Sequence, residues 1–221
     1  MTPLILAGNA VTAEVLLTYL RRDSRYSVIA TTVDDAYAAG GSVRDVPCVP
    51  LSQLQAAHAP GSCRILMAMG YDDLNRTRAS MFERLRGQGY TLETYVHPDA
   101  RVFGEVGEGS IVLPGAIVEP LATVGRDTMV WSNVTLAHHS TVGDHCWVAA
   151  GTVVSGQAVV EHHTFVGVGA TIVNKIKVAD HNIIGAGALI TRDTKPDTVH
   201  LARSAEPVRF SANDYVKHFG N

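Results

Sequence analysis

The chain has 221 residues, 18 basic and 21 acidic side chains, and a formal net charge of −3. That length suffices for one large domain or two small ones, each with its own core. The near-neutral balance leaves no electrostatic footprint for nucleic acid; no apolar run is long enough to span a membrane; and three cysteines without paired spacing point to free thiols in a reducing, cytoplasmic setting.

The N-terminal stretch MTPLILAGNAV lacks a basic region ahead of its short apolar run, so it does not read as a secretory signal. LILAG reads as a strand. NAVTAEVLLTYLRRD follows as a helix, with Val11, Val15, Leu16 and Leu20 at its apolar positions. SVIATTVDD is a second strand, PLSQLQAAH a short helix, CRILMAMG a third strand and NRTRASMFERLRGQG another helix. This alternation over residues 1–97 predicts a small parallel sheet of Rossmann-like α/β type. The first turn holds one glycine where a dinucleotide fingerprint has three, so it is a weak NAD signal.

After His97–Pro98 the period changes. From Val106 to Ile190 every sixth residue is Val, Ile or Leu. Four residues after each aliphatic comes a mostly small side chain, with Val134, Ile176 and Asn182 as exceptions. Helices repeat at 3.6 and strands at 2, so a strict six requires a solenoid. One short strand plus a turn fills six residues, and three such units close a triangular coil. Residues 98–195 therefore read as a left-handed parallel β-helix, and residues 196–221 as a C-terminal tail.

The period makes position computable. Residues eighteen apart stack vertically, about 4.8 Å per coil. One corner column contains Gly115, Asn133, Gly151, Gly169 and Gly187, residues that tolerate positive φ, so this corner is expected to demand it. A second contains Asp127, His145, His163 and His181; the third contains Leu121, His139, Gln157, Lys175 and Asp193.

The His145–His163–His181 ladder is expected to be a solvated corner. A zinc site needs three or four convergent ligands. β-Helix carbonic anhydrases space their histidines about 36 and then 5 apart, and the position that would complete that pattern here is Ala186. No metal is therefore expected. His138 differs, because Gly156 stacks one coil above it. A histidine beside an exposed backbone N–H supplies a base and an oxyanion donor, the two groups that acyl transfer from a thioester needs.

These residues resemble the bacterial hexapeptide-repeat sugar acyltransferases related to sialic acid O-acetyltransferases and nucleotide-amino-sugar N-acetyltransferases. The likeness runs through the N-terminal strand–Gly–helix, the "YVHPDA" link, the "HHSTVGDHCWVAAG" coil and the late "GVGATI" and "IIGAGALITRD" coils. It implies a small nucleotide-sugar-binding domain before the β-helix, a homotrimer, and acetyl-CoA lying in the groove between neighbouring β-helices.

It also implies that His138 is the catalytic base and that the Gly156 amide is the oxyanion donor. Relatives often carry an acidic residue directly after that histidine, where this chain has His139; Glu119, one coil below and beside His138, is another candidate to orient it. Trp147 stands where relatives often carry a second histidine near the acetyl group.

Lys175 lies two coils up from His139, roughly 10 Å away, and Arg192 three coils above His138, roughly 14 Å; both are candidates for the CoA phosphates. Gly169 and Gly187 would admit the pantetheine arm. In the resembling family the first turn contacts a nucleotide sugar, with phosphates near the helix N-terminus. Gly8 and Asn9 occupy it, Asp34 and Asp35 end the second strand, Gly70 and Tyr71 end the third, and Asn75 and Arg78 open the next helix.

The resulting expectation is an acetyl-CoA-dependent N-acetyltransferase acting on a nucleotide-linked amino sugar. The alternatives are a sugar O-acetyltransferase and a non-catalytic sugar-binding scaffold.

Overall fold

The computed structural model describes residues 1–220. Strands β1 (Thr2–Ala7), β2 (Tyr26–Val33), β3 (Cys48–Pro50), β4 (Arg64–Met67) and β5 (Thr91–Leu92) form one sheet in the order β3-β2-β1-β4-β5. All four pairings are parallel. Helices α1 (Val11–Leu20), α2 (Leu54–Ala57) and α3 (Arg76–Gly87) lie in the connections. Leu4 to Ala7 are all fully buried, as a central parallel strand covered on both faces requires. Leu4, Leu6 and Leu66 pack with Leu16, Leu17 and Leu20 of α1; Ile5, Ala7 and Ile65 pack with Leu54, Phe82 and Leu85 on the other side.

From Tyr95 onward the chain forms two-residue strands separated by turns. They stack into three parallel sheets, the faces of a β-helix. Face 1 begins at Tyr95–Val96 and has seven strands, face 2 begins at Arg101–Val102 and has six, and face 3 begins at Glu105–Val106 and has five. Partners are eighteen residues apart through the body of the helix, as in Thr123↔Thr141 and Met129↔Trp147, and sixteen apart at its last pairing, Ile183↔Val199. The first coil is shorter, pairing Tyr95 with Ile111 and Arg101 with Ile117. Its contraction falls at Phe103–Gly104, where an added Cβ on Gly104 would collide with the Ala122 carbonyl.

The six-residue period has a direct physical cause. The aliphatic of each unit points into the coil, and Val112, Val118, Leu136, Val148, Ile172 and Ile184 are fully buried. The small residues lie inside too. Most of the polar ones are bonded: Ser110 Oγ donates to Gly125 O at 2.6 Å, and Thr128 Oγ1 to Gly143 O at 2.7 Å, whereas Ser140 Oγ is buried without a partner. Cys146 is likewise enclosed, and burial pushes its thiol up to about 12.

The corners correct one expectation. Positive φ occurs at all three, not only in the Gly/Asn column: Leu121, Asp127, His139, His145, Gln157, His163, Lys175 and His181 all have φ between 48° and 64°. Each corner needs the same reversal from face to face, so each imposes the left-handed conformation whatever the side chain. For a non-glycine residue that costs about 1–2 kcal/mol.

The N-terminal layer covers face 1. Tyr95, Ile111, Leu113, Met129 and Trp147 share one core with α1 and β1. The edge where faces 2 and 3 meet is thus the edge opposite the N-terminal layer. After a last strand at Val199–His200, residues 203–211 are exposed and lead to α4 (Ala212–Phe219), where Ser211 Oγ accepts from Asp214 N at 3.1 Å. Among the described residues no helix is long and apolar enough to cross a membrane.

Leu136 is fully buried in the coil interior directly before the His138 turn. Leu136→Ala is expected to lower stability by about 2–5 kcal/mol, read from the urea midpoint.

Candidate active site

Ala137, His138 and His139 form the turn between faces 2 and 3. The turn is held from above by Ala137 N donating to Val154 O at 2.9 Å, and across itself by Ser140 N donating to Ala137 O at 3.0 Å. His139 takes the left-handed position, φ 59°. Both histidines are exposed.

The His138 ring lies against Gly156 one coil up. A Cβ on Gly156 would sit 2.7 Å from His138 Cε1 and 2.8 Å from Nε2, so only glycine leaves the ring where it is. Among the described residues no acceptor occupies the Gly156 N–H. Nδ1 of His138 lies 3.1 Å from Nδ1 of His139, with the rings nearly perpendicular at 87°. One of the two nitrogens must therefore carry the shared hydrogen.

Glu119 is placed differently from the expectation that it orients the ring. Its Oε2 accepts from the backbone N–H of His138 at 2.7 Å, so it fixes the turn. Trp147 is not near this corner. It lies buried on face 1, edge-on to Tyr71 and packed against Trp131.

The four residues expected to meet CoA divide between two edges. Lys175 and Arg192 lie on the His138 edge, both exposed. Gly169 and Gly187, φ 65° and 67°, lie where faces 1 and 2 meet, and a Cβ on either would touch nothing. Face 2 separates the two sets.

In the N-terminal layer, Gly8, Asn9, Asp34, Asp35, Gly70 and Tyr71 gather at the carboxyl edge of the sheet, after β1, β2 and β4. Open parallel sheets bind ligands at this edge. Gly8 has φ 133°, and a Cβ there would collide with the Ala68 carbonyl. Asn9 Nδ2 donates to Tyr37 O at 3.1 Å, Asp35 Oδ1 accepts from Ser52 N at 3.1 Å, and Asp34 pairs with Arg84 of α3. Tyr71 is exposed and packs edge-on against Trp147 and at a tilt against Phe165.

Asn75 and Arg78 depart from the expected role. Asn75 is fully buried and Arg78 is 2% exposed, so neither can meet a substrate phosphate. The Arg78 guanidinium instead pairs with Asp127 Oδ1 at 3.1 Å, across the junction between α3 and the β-helix. Asp127 Oδ2 lies 2.8 Å from His145 Nδ1.

The histidine corner is therefore not simply solvated: His145 is 8% exposed, and His145, His163 and His181 stack at 4.9 and 5.0 Å. Among the described residues no group of three or more His, Cys, Asp or Glu could hold a metal ion.

No protein-family model matches the sequence, and no curated protein matches it. Solved structures do. PerB from Caulobacter crescentus, in complex with CoA and GDP-perosamine, is 25% identical with a TM-score of 0.81, covering 91% of this chain and 94% of that one. The acetyltransferase domain of PglB from Neisseria gonorrhoeae, in complex with acetyl coenzyme A, is 25% identical with a TM-score of 0.82, covering 93% and 98%. The chain has an acetyltransferase fold. WeeI from Acinetobacter baumannii shares that fold at 18% identity and a TM-score of 0.73, covering 90% of this chain and 96% of that one.

Burial, with His145 and His181 on either side, pushes His163 down from 6.5 to about 4. The folded chain thus stays unprotonated there while the unfolded chain takes up a proton below pH 6.5, so stability falls as pH drops through this interval. Melting temperatures from pH 7 to 4 are expected to fall more steeply for the wild type than for His163→Asn, a replacement that suits the left-handed backbone.

Proposed function

We propose that the protein transfers the acetyl group of acetyl-CoA to the amine of a nucleotide-linked sugar. The observation that carries this reading is the His138 ring held against Gly156, whose N–H is open. The two solved structures at 25% identity, one with CoA and GDP-perosamine and one with acetyl coenzyme A, support it.

In this mechanism His138 Nδ1–H donates to His139 Nδ1, which leaves the Nε2 lone pair free. Nε2 takes the proton from the acceptor amine as its nitrogen bonds to the thioester carbonyl carbon. The Gly156 N–H donates to the oxyanion that forms. The C–S bond then breaks and the CoA thiolate leaves, taking up a proton. Glu119 holds the His138 backbone while the ring works. Lys175 and Arg192, on the same edge as His138, are placed to meet the donor's phosphates; Gly169 and Gly187, on the far edge of face 2, lie away from its arm within one chain.

Residues 1–97 form, in this reading, a Rossmann-like nucleotide-sugar-binding domain, and residues 98–195 a left-handed acyltransferase β-helix. Gly8, Asn9, Asp34, Asp35 and Tyr71 face the acceptor, and the Gly70 carbonyl shapes its loop. The three unpaired cysteines suit a cytoplasmic enzyme.

The acceptor edge adjoins face 1 while His138 lies on the opposite edge, so one chain does not bring them together. A neighbouring copy completes the site, and a homotrimer satisfies this for every chain. Light scattering is expected to give three times the chain mass. A stable monomer at micromolar concentration would remove the proposed site.

Acetyl transfer is measured on a panel of nucleotide-amino sugars that includes GDP-perosamine and hydroxyl-only analogues. His138→Ala is expected to lower turnover about 10²–10⁴-fold while acetyl-CoA still binds. His139→Ala is expected to cost less. Near-native turnover in His138→Ala would refute the base assignment, and transfer to hydroxyl-only analogues would establish O-acetylation instead.

A further inference from the structure

We infer that Arg78 and Asp127 are positioning residues for the acceptor, which they serve by fastening the loop of residues 70–75 to the β-helix. This rests on the acceptor reading given above.

The guanidinium has five N–H groups, and all five are used. Nε donates to Asp127 Oδ1 at 3.1 Å, Nη1 to Asn75 Oδ1 at 2.8 Å and to Gly70 O at 3.3 Å, and Nη2 to Asp127 O at 2.8 Å and to Cys146 O at 3.1 Å. Two of these contacts grip the two ends of the loop, and three grip two successive coils. One side chain therefore fixes where the loop sits on the coil.

The loop needs such a clamp. Asp73, Leu74 and Asn75 take φ 49°, 49° and 65° in succession. Consecutive left-handed residues persist only where their surroundings enforce them. Between the clamped ends, Tyr71, Asp72 and Asp73 remain exposed at the carboxyl edge of the sheet. Tyr71 lies on the Trp147 and Phe165 rings, with centroids 5.1 and 4.6 Å away. Asp73 pairs with Arg76 at 3.2 Å, so the loop presents an aromatic ring and the Asp72 carboxylate, a surface suited to a flat ring and a cationic amine.

Asp127 is held from its other side by His145. With both oxygens engaged and only 1% of its surface exposed, it cannot turn away from Arg78 without leaving a buried charge unpaired. A clamp that served folding alone would, when weakened, loosen loop and coil together. A clamp that positions the acceptor loosens the loop first.

Hydrogen exchange on the full-length protein reads the loop without any acceptor present. Asp127→Asn keeps the side-chain size and suits the φ of 48° while removing the charge. The expected result is about tenfold faster exchange at residues 70–75, with residues 134–142 unchanged. In turnover, KM for the panel member that the wild type acetylates is expected to rise about tenfold, with the acetyl-CoA KM within about twofold.

Unchanged loop exchange overturns the proposal, as does equal acceleration of loop and coil. If Asp127→Asn does not fold, Asn75→Gly carries the same test at about threefold amplitude, since it removes one loop contact and keeps the left-handed backbone. If no panel member is acetylated by the wild type, the functional reading fails, and the exchange comparison still decides the clamp.

Discussion

Each coil rests on the coil eighteen residues before it, and this stacking governs the molecule. It arises because two-residue parallel strands can satisfy their amides only on the coils above and below. Once that ladder is set, every side chain belongs to a column. The branched aliphatics fill the interior, and their columns form one continuous core from Val112 to Ile190. The His138 ring meets Gly156 because the two are neighbours in such a column, so the geometry of the proposed chemistry is a by-product of backbone hydrogen bonding.

The N-terminal layer is joined to this column by two kinds of force. Apolar side chains of α1, with aromatic and aliphatic side chains of face 1, supply undirected burial. Arg78 supplies direction. A lysine could not replace it, because three rotatable donors on a point charge cannot serve five acceptors fixed around a plane. The buried ion pair adds little net stability by general experience; its value here lies in fixing a relative orientation that apolar packing alone would leave loose.

The β-helix was legible because its period is exact over many repeats. The stacking of His138 under Gly156 follows from counting. The left-handed corners were only half legible: glycine and asparagine announced one column, while histidine, aspartate and lysine concealed the other two. Strands β3 and β5 were missed because three and two residues carry no period. Arg78 was misread because no repeat crosses the boundary between the two parts, and an arginine at a helix start suits a phosphate as well as a buried carboxylate. Asp127 offered a clue, since it shares the column of three histidines, but nothing in the sequence named its partner. Glu119 was correctly put beside His138, yet its target, a backbone amide, leaves no trace in side-chain spacing.

The uniform coil length imposes an arithmetic on insertions and deletions. Gaining or losing eighteen residues between His138 and Arg192 would slide everything above the cut along the axis by about one strand spacing, and every side chain would stay on its own face. A change of six would rotate the upper coils by one face, carrying Arg192 away from the His138 edge while leaving the core just as apolar. The fold could therefore accept both events, while the site would survive only the first, with its basic residue moved to a new height. In this architecture chain length acts as a ruler, graduated in whole coils.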